Sequence, residues 1–375
     1  MQMLKSKSKY ERGSIIKGKG RRISRGLWPV LVVSVIVSGC GKHEGKEVVR
    51  TRDANGVETV RNGAEPNRMN GKAVSLALEQ ELSIDTGNEA VIKTGLGKIL
   101  AFDADPQGNI YILAGNGDPN FIFKFDPQGR FLGSFARMGQ GPGELQAPNP
   151  DSFRVLPDGT VTVCDRANSR QCIYDGSGKV LREKGLKSGM SYIVPVGKAG
   201  ELTVDMIPNT DPEGGSLYDI VASVCGGPSD GPRELARVRV DDILRSTKFK
   251  GIYYQFSWGL SRDRIITGDQ GREYEDRVFD LEGRPVRVIR KAHPPLPVPE
   301  DYKVSYLKQY DTPLLSEFRK KIYFPEAMPP YEYLFADEDG RVFVVTYEKG
   351  QNAGERMCDV FDPEGVFIAR VGLPA

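Results

Sequence analysis

The chain has 375 residues, 39% of them hydrophobic and 27% charged, which suits one large globular core. Its 52 Lys/Arg and 50 Asp/Glu give a formal charge of +2, but residues 1–39 hold nine of the basic residues and one acidic one. Without that segment the balance is 43 basic against 49 acidic, or −6, which argues against a nucleic-acid partner.

Residues 1–26 are basic and polar, and Leu27 to Val37 is an apolar run of eleven that Val37-Ser38-Gly39-Cys40 closes. A basic region, a short apolar stretch and small residues before a cleavage point describe an export signal over residues 1–39. Eleven residues rise only about 16 Å as a helix, too short for a bilayer. Arg21-Arg22 also fits a twin-arginine signal weakly. Residues 40–72 are polar, charged and rich in Gly and Asn, and read as a disordered tether. Residues 73–375 form the folded domain. Its first stretch, Ala73 to Ile84, suits strand or helix on composition alone.

From Lys98 onward, short apolar strands alternate with Gly/Asp turns. The fullest unit runs from Gly139 to Lys184. Gly139, Gly141, Pro142 and Gly143 break regular structure. Ser152–Val155, Val161–Cys164, Gln171–Tyr174 and Val180–Glu183 then read as four strands, in about the period of one propeller blade. The Asp-x-x-Gly turn between apolar strands recurs at Asp105–Gly108, Asp126–Gly129, Asp280–Gly283, Asp337–Gly340 and Asp362–Gly365. Blade one covers about Lys98–Phe135 and blade three, the irregular one, about Tyr192–Val240. Blade four covers about Tyr253–Arg290 and blade five Tyr331–Val371. Residues 291–330 form an insertion with eight prolines, in which Leu314–Ile322 suits a short helix.

Gly141-Pro-Gly-Glu144, Pro148, Gly159, Asp165-Arg166-x-Asn168-x-Arg170 and Tyr174-Asp175 resemble the NHL repeat. More broadly, the chain from Leu76 resembles the six-bladed β-propeller lipoproteins of bacteria. The resemblance implies an all-β propeller of four-stranded antiparallel blades, six-bladed in type, with five full blades recognisable here. It favours Ala73–Ile84 as a strand closing the ring beside the last blade. Three arrangements stay open: five blades, six with one degenerate, or an open, truncated ring. The small residues before Cys40 resemble the bacterial lipobox, which makes Cys40 the lipid-bearing first residue of a chain anchored in the cell envelope and facing the periplasm or exterior.

Catalytic constellations are thin. His43 and His293 are too few for a His-based zinc site or a Ser-His-Asp triad, and His293 reads as a solvated loop residue. Gly227-Pro-Ser229-Asp-Gly231 matches G-x-S-x-G but lies between strands and reads as a turn. Asn209-x-Asp211-x-Glu213-Gly214 and Asp103-x-Asp105-x-Gln107-Gly108 start like calcium loops, yet have Ile220 and Ala114 where the bidentate glutamate belongs. Asp165, Arg166, Asn168 and Arg170 read as bridges between neighbouring blades rather than a ligand site. Cys164 and Cys172 flank a hairpin symmetrically about Asn168, which suits either a cross-strand disulfide or two buried thiols. The functional expectation is a non-catalytic propeller, without metal or cofactor, that binds a protein, peptide or glycan. The alternatives are a calcium-dependent lactonase- or lyase-like propeller enzyme, as relatives of this fold imply, and a degenerate propeller with no ligand.

Overall fold

The computed structural model describes residues 2–7, 31–36 and 48–374, with breaks at 70–71, 74–78, 85–88, 116–119, 199, 211–215, 227–230, 242–247, 253–255, 269–272 and 353. The fold is all-β: five four-stranded antiparallel blades of a β-propeller, each strand pairing with the next in sequence. The chain divides into two compact units, Met1–Cys40 with Ser75–Val194 and Ala375, and Gly41–Val74 with Pro195–Pro374.

The first unit holds two blades. Blade one is Lys98–Ala104, Ile110–Gly115, Asn120–Phe125 and Phe131–Arg137. Blade two is Pro148–Val155, Val161–Asp165, Arg170–Tyr174 and Val180–Gly185. Tyr111, Leu113 and Ile122 of blade one share a core with Phe153, Val161, Val163, Cys172 and Tyr174 of blade two. Burial of each large apolar side chain in that layer contributes about 1.5–3 kcal/mol. The other face of blade one packs Ile110, Ile112, Phe123 and Phe125 against Leu82 and Ile84. The segment Glu79–Ser83 is therefore a strand, and it packs on blade one. Gln2–Lys7 pairs antiparallel with Glu79–Ser83 and parallel with Leu31–Ile36.

The second unit holds blades four and five and all of blade three from Pro195 onward. Blade three is Tyr192–Val196, Gly200–Thr210, Ser216–Cys225 and Arg233–Asp241. Its irregular appearance in sequence comes from one long hairpin, Glu201–Thr210 paired with Ser216–Cys225. Blade four is Ser257–Leu260, Ile265–Gly268, Glu275–Phe279 and Pro285–Lys291. Blade five is Tyr333–Ala336, Val342–Lys349, Glu355–Phe361 and Phe367–Pro374. Ile266, Val278 and Ile289 of blade four meet Leu334, Val344, Phe361 and Phe367 of blade five in one core.

Residues 40–72 were expected to be a disordered tether, and the described part is not. Val49–Arg52 and Glu58–Asn62 form a hairpin, and Glu58–Asn62 runs parallel to Pro285–Lys291, extending blade four to six strands. The reason is local: Asp53 Oδ1 accepts from the Asn55 and Val57 amides, and Gly56 takes φ +82°, so Asp53–Gly56 is a preset turn.

The repeated Asp-x-x-Gly turns are built as their chemistry requires. At Asp105, Asp126, Asp175, Asp280 and Asp362 the carboxylate accepts amide hydrogens from the residues two and four further on. The fourth residue is always a glycine at φ +76° to +91°, the left-handed region that a side chain disfavours.

Candidate functional site

A cluster of ionisable groups lies between blades four and five. Ser257, Gly268 and Asp276 stand directly opposite one another on three neighbouring strands. Gly268 has no side chain, and the hydroxyl of Tyr331 fills the gap; a Cβ there would collide with it. That hydroxyl donates to Asp276 Oδ1 at 2.8 Å. Asp276 Oδ2 and Ser257 Oγ are both buried without a hydrogen-bond partner. Burial therefore pushes the Asp276 carboxyl up to about 7, against the Tyr331 hydrogen bond and with help from Glu275 and Asp359.

One step along the seam, Asp359 is fully buried and heavily partnered. Its Oδ2 accepts from the Tyr274 hydroxyl at 2.9 Å and lies 3.2 Å from Lys291 Nζ. Its Oδ1 accepts from Arg370 Nε at 2.8 Å, and Arg370 also reaches Glu348 at 3.1 Å. Lys291 lies over the rings of Tyr274 and Phe367, at 5.1 and 4.9 Å. With 1% of its side chain exposed, Lys291 is lowered below the usual lysine range by burial, which the charge of Asp359 opposes. The His293 ring packs 5.9 Å from that of Tyr274, with both nitrogens buried and no hydrogen-bond partner. The expected solvated loop histidine is thus a desolvated one, and burial lowers its pKa, with Lys291 adding to the effect.

This network fastens both ends of the Pro-rich insertion. Lys291 opens the insertion and binds blade five; Tyr331 follows it and binds blade four. Asp276 and Asp359 are closed off from solvent, and their partners tie blade four to blade five as a clamp.

The insertion itself is a small folded body. Leu296–Val298 and Glu326–Met328 bond backbone to backbone, and Phe249–Lys250 pairs with Ile322–Tyr323. Glu300–Lys308 is a helix that begins after Pro299, with Glu300 and Asp301 in its first turn and Lys308 in its last, as the helix dipole favours. Ser316–Lys320 is the short helix expected within Leu314–Ile322. Tyr306 is buried and stacks between Tyr302 and Tyr310, with Phe324 edge-on. Ile252, Val298 and Met328 complete this local core. Tyr302, Tyr306, Tyr310 and Phe324 therefore hold the body together, and what faces outward is Leu314 at 86%, Val304 at 60% and Tyr323 at 43% exposure.

In blade two Asp165, Asn168 and Arg170 converge on the crossing between blades one and two, whereas Arg166 is exposed. Asp165 is fully buried and accepts from the Gln146 and Ala147 amides at 2.9 Å each and from Asn168 Nδ2 at 2.6 Å. Arg170 Nη2 donates to the carbonyls of Gly141 and Glu144 at 2.6 and 2.8 Å. Together they pin the Gly139–Ala147 crossing that leads out of blade one.

The cross-strand disulfide is not formed. Cys164 and Cys172 are both thiols, and the register pairs Cys164 with Gln171 and Val163 with Cys172. A one-residue difference from symmetry about Asn168 puts the two thiols on opposite faces of the sheet. Cys225 and Cys358 are thiols as well. Burial pushes the Cys172 thiol up to about 11 and Cys358 well above the ordinary range, so neither is a poised nucleophile.

Asp103 and Asp105 serve the backbone: Asp103 accepts from Val155, and Asp105 closes its turn. Among the described residues no group of three or more His, Cys, Asp or Glu could hold a metal ion. Cys40, His43, Asp211, Glu213 and Ser229 lie outside the described residues.

No family model matches the sequence, and no curated protein matches it. Solved structures similar to it include a DUF4221 family member from Bacteroides vulgatus, at 12% identity and TM-score 0.43, over 75% of this chain and 82% of that one. The β-propeller domain of the Trilobed protease from Pyrococcus furiosus, with an open velcro topology, is similar at 10% identity and TM-score 0.36, over 88% and 79%. A gluconolactonase from Xanthomonas campestris is similar at 12% identity and TM-score 0.37, over 77% and 84%. Lactonase activity belongs to that last protein and is not carried over to this chain.

Proposed function

We propose that this chain is a lipid-anchored, non-catalytic β-propeller that binds a protein, peptide or glycan partner at the cell envelope, with Cys40 bearing the anchor. The observation that carries the reading is the insertion. It is a folded body clamped at both ends and packed with Phe249, Ile252 and Tyr347, whose outward apolar side chains, Val304 and Leu314, have no role in that core. A rigid protrusion with apolar tips suits recognition, because little ordering entropy is lost on binding. The closure of Asp276, Asp359 and Lys291 from solvent supports a structural use of the only dense ionisable cluster among the described residues of this seam. No metal or cofactor enters this reading.

The test is capture of partners from native membranes by the full chain and by a V304D/L314D double variant. Both substitutions sit on exposed side chains, so the fold is retained and a melting curve checks this. Loss of a specific partner with unchanged melting supports the reading. Equal recovery from both chains removes the insertion from it.

A further inference from the structure

The hairpin that extends blade four changes what an anchor at Cys40 would do. Val60 is fully buried in the seam beside Pro285–Lys291. Glu58 pairs with Arg287 at 2.8 Å and Arg50 at 3.0 Å, and Arg287 reaches on to Glu364 of blade five at 2.7 Å. Burial opposes ionisation of Glu58, but the two arginines hold its carboxyl below the usual range. Asn62 is 5% exposed and donates to the carbonyls of Arg290 and Gly365, at 3.1 and 3.0 Å, while accepting from the Phe367 amide at 2.8 Å. The Asn67 amide donates to the Phe367 carbonyl at 2.8 Å. The arm is thereby stapled to both blades.

Val48, where the described arm begins, is only eight positions from Cys40. In any conformation that length spans at most about 28 Å, against about 110 Å for the thirty-two residues to Lys72. We infer that the outer edge of blade four, with the hairpin Val49–Asn62 and the neighbouring turn Asp362–Gly365, is the face held against the lipid bilayer. The inference rests on the anchor proposed above. Arg52 and Arg61 are exposed on the arm and suit an anionic phospholipid surface, while Arg50 and Glu58 neutralise one another, Asp53 closes the turn and Glu364 pairs with Arg287. The anchor then fixes an orientation as well as a location.

The test uses the full chain expressed in a bacterial host and kept in its membranes. Mass spectrometry of the N-terminal peptide first reads whether Cys40 carries acyl groups; an unmodified Cys40 overturns the anchor and this inference together. On acylated protein, a fluorescent amino acid at Glu364 reports energy transfer to acceptor-labelled headgroups. The expected result is strong transfer that falls several-fold when about 24 Gly/Ser residues are inserted after Gly45. An E58A/N62A variant, which frees the arm without lengthening it, should show the same fall. Weak transfer from acylated protein, unchanged by either alteration, overturns the inference while leaving the anchor standing.

Discussion

Blade two and the seam between blades four and five both bury a carboxylate, and they treat it in opposite ways. Asp165 is surrounded by amide donors from its own crossing and its own hairpin, 3 to 19 residues away. Asp276 meets one phenol from 55 residues away and keeps an oxygen with no hydrogen-bond partner, while Asp359 is shared by groups 11, 68 and 85 residues distant in sequence. Local donors make a carboxylate a fixed structural part. A carboxylate assembled from distant elements makes the seam's stability depend on every one of them, and on pH.

Breaking the seam should cost most. Lys291→Ala leaves Asp359 buried with its amine partner gone, and the loss expected is about 3–5 kcal/mol in chemical denaturation. Asp165→Ala leaves the Gln146 and Ala147 amides unsatisfied and should cost about 2–3 kcal/mol. Equal losses at the two sites would erase the contrast.

The pH response sharpens it. The folded pKa of Asp276 is raised to about 7, above its unfolded value, so its contribution is fully present below the unfolded pKa and is lost as pH rises through about 7. His293 works the other way: its folded pKa is lowered, so stability is lost as pH falls below its unfolded value. Asp276→Asn removes the first effect. The variant should gain on the parent by about 2 kcal/mol above pH 7 and lose that advantage toward pH 4. A constant difference across that range would show that Asp276 does not titrate there. The smallest effect is at the thiols: a reductant should leave the melting temperature unchanged, since Cys164 and Cys172 point to opposite faces.

The same contrast decides what could be read from sequence. Blade boundaries were legible because Asp-x-x-Gly turns write their hydrogen bonds into adjacent residues. Asp165 and Arg170 were legible as bridges for the same reason. The seam was not, since nothing near Asp276 or Lys291 in sequence announces Tyr331 or Asp359. Two misses did have local signals. Val48-Val-Arg-Thr-Arg, Asp53-Ala-Asn-Gly56 and Val57-Glu-Thr-Val60 form a hairpin pattern with a turn between, masked by the polar composition around it. Pro299-Glu-Asp301 is a helix start that the surrounding prolines obscured. The cysteine pairing failed on register: a four-residue connection closes on Asp165 and Arg170, one residue away from symmetry about Asn168.

The direct test of the central claim sets the insertion against blade two. A photo-crosslinking amino acid is placed at Leu314, 86% exposed on the insertion, and in a second chain at Asp158, exposed on a blade-two turn. Irradiated in native membranes, the Leu314 chain should yield a discrete adduct that the Asp158 chain lacks. The same adducts from both positions, or none from Leu314, would contradict a propeller that binds through its insertion.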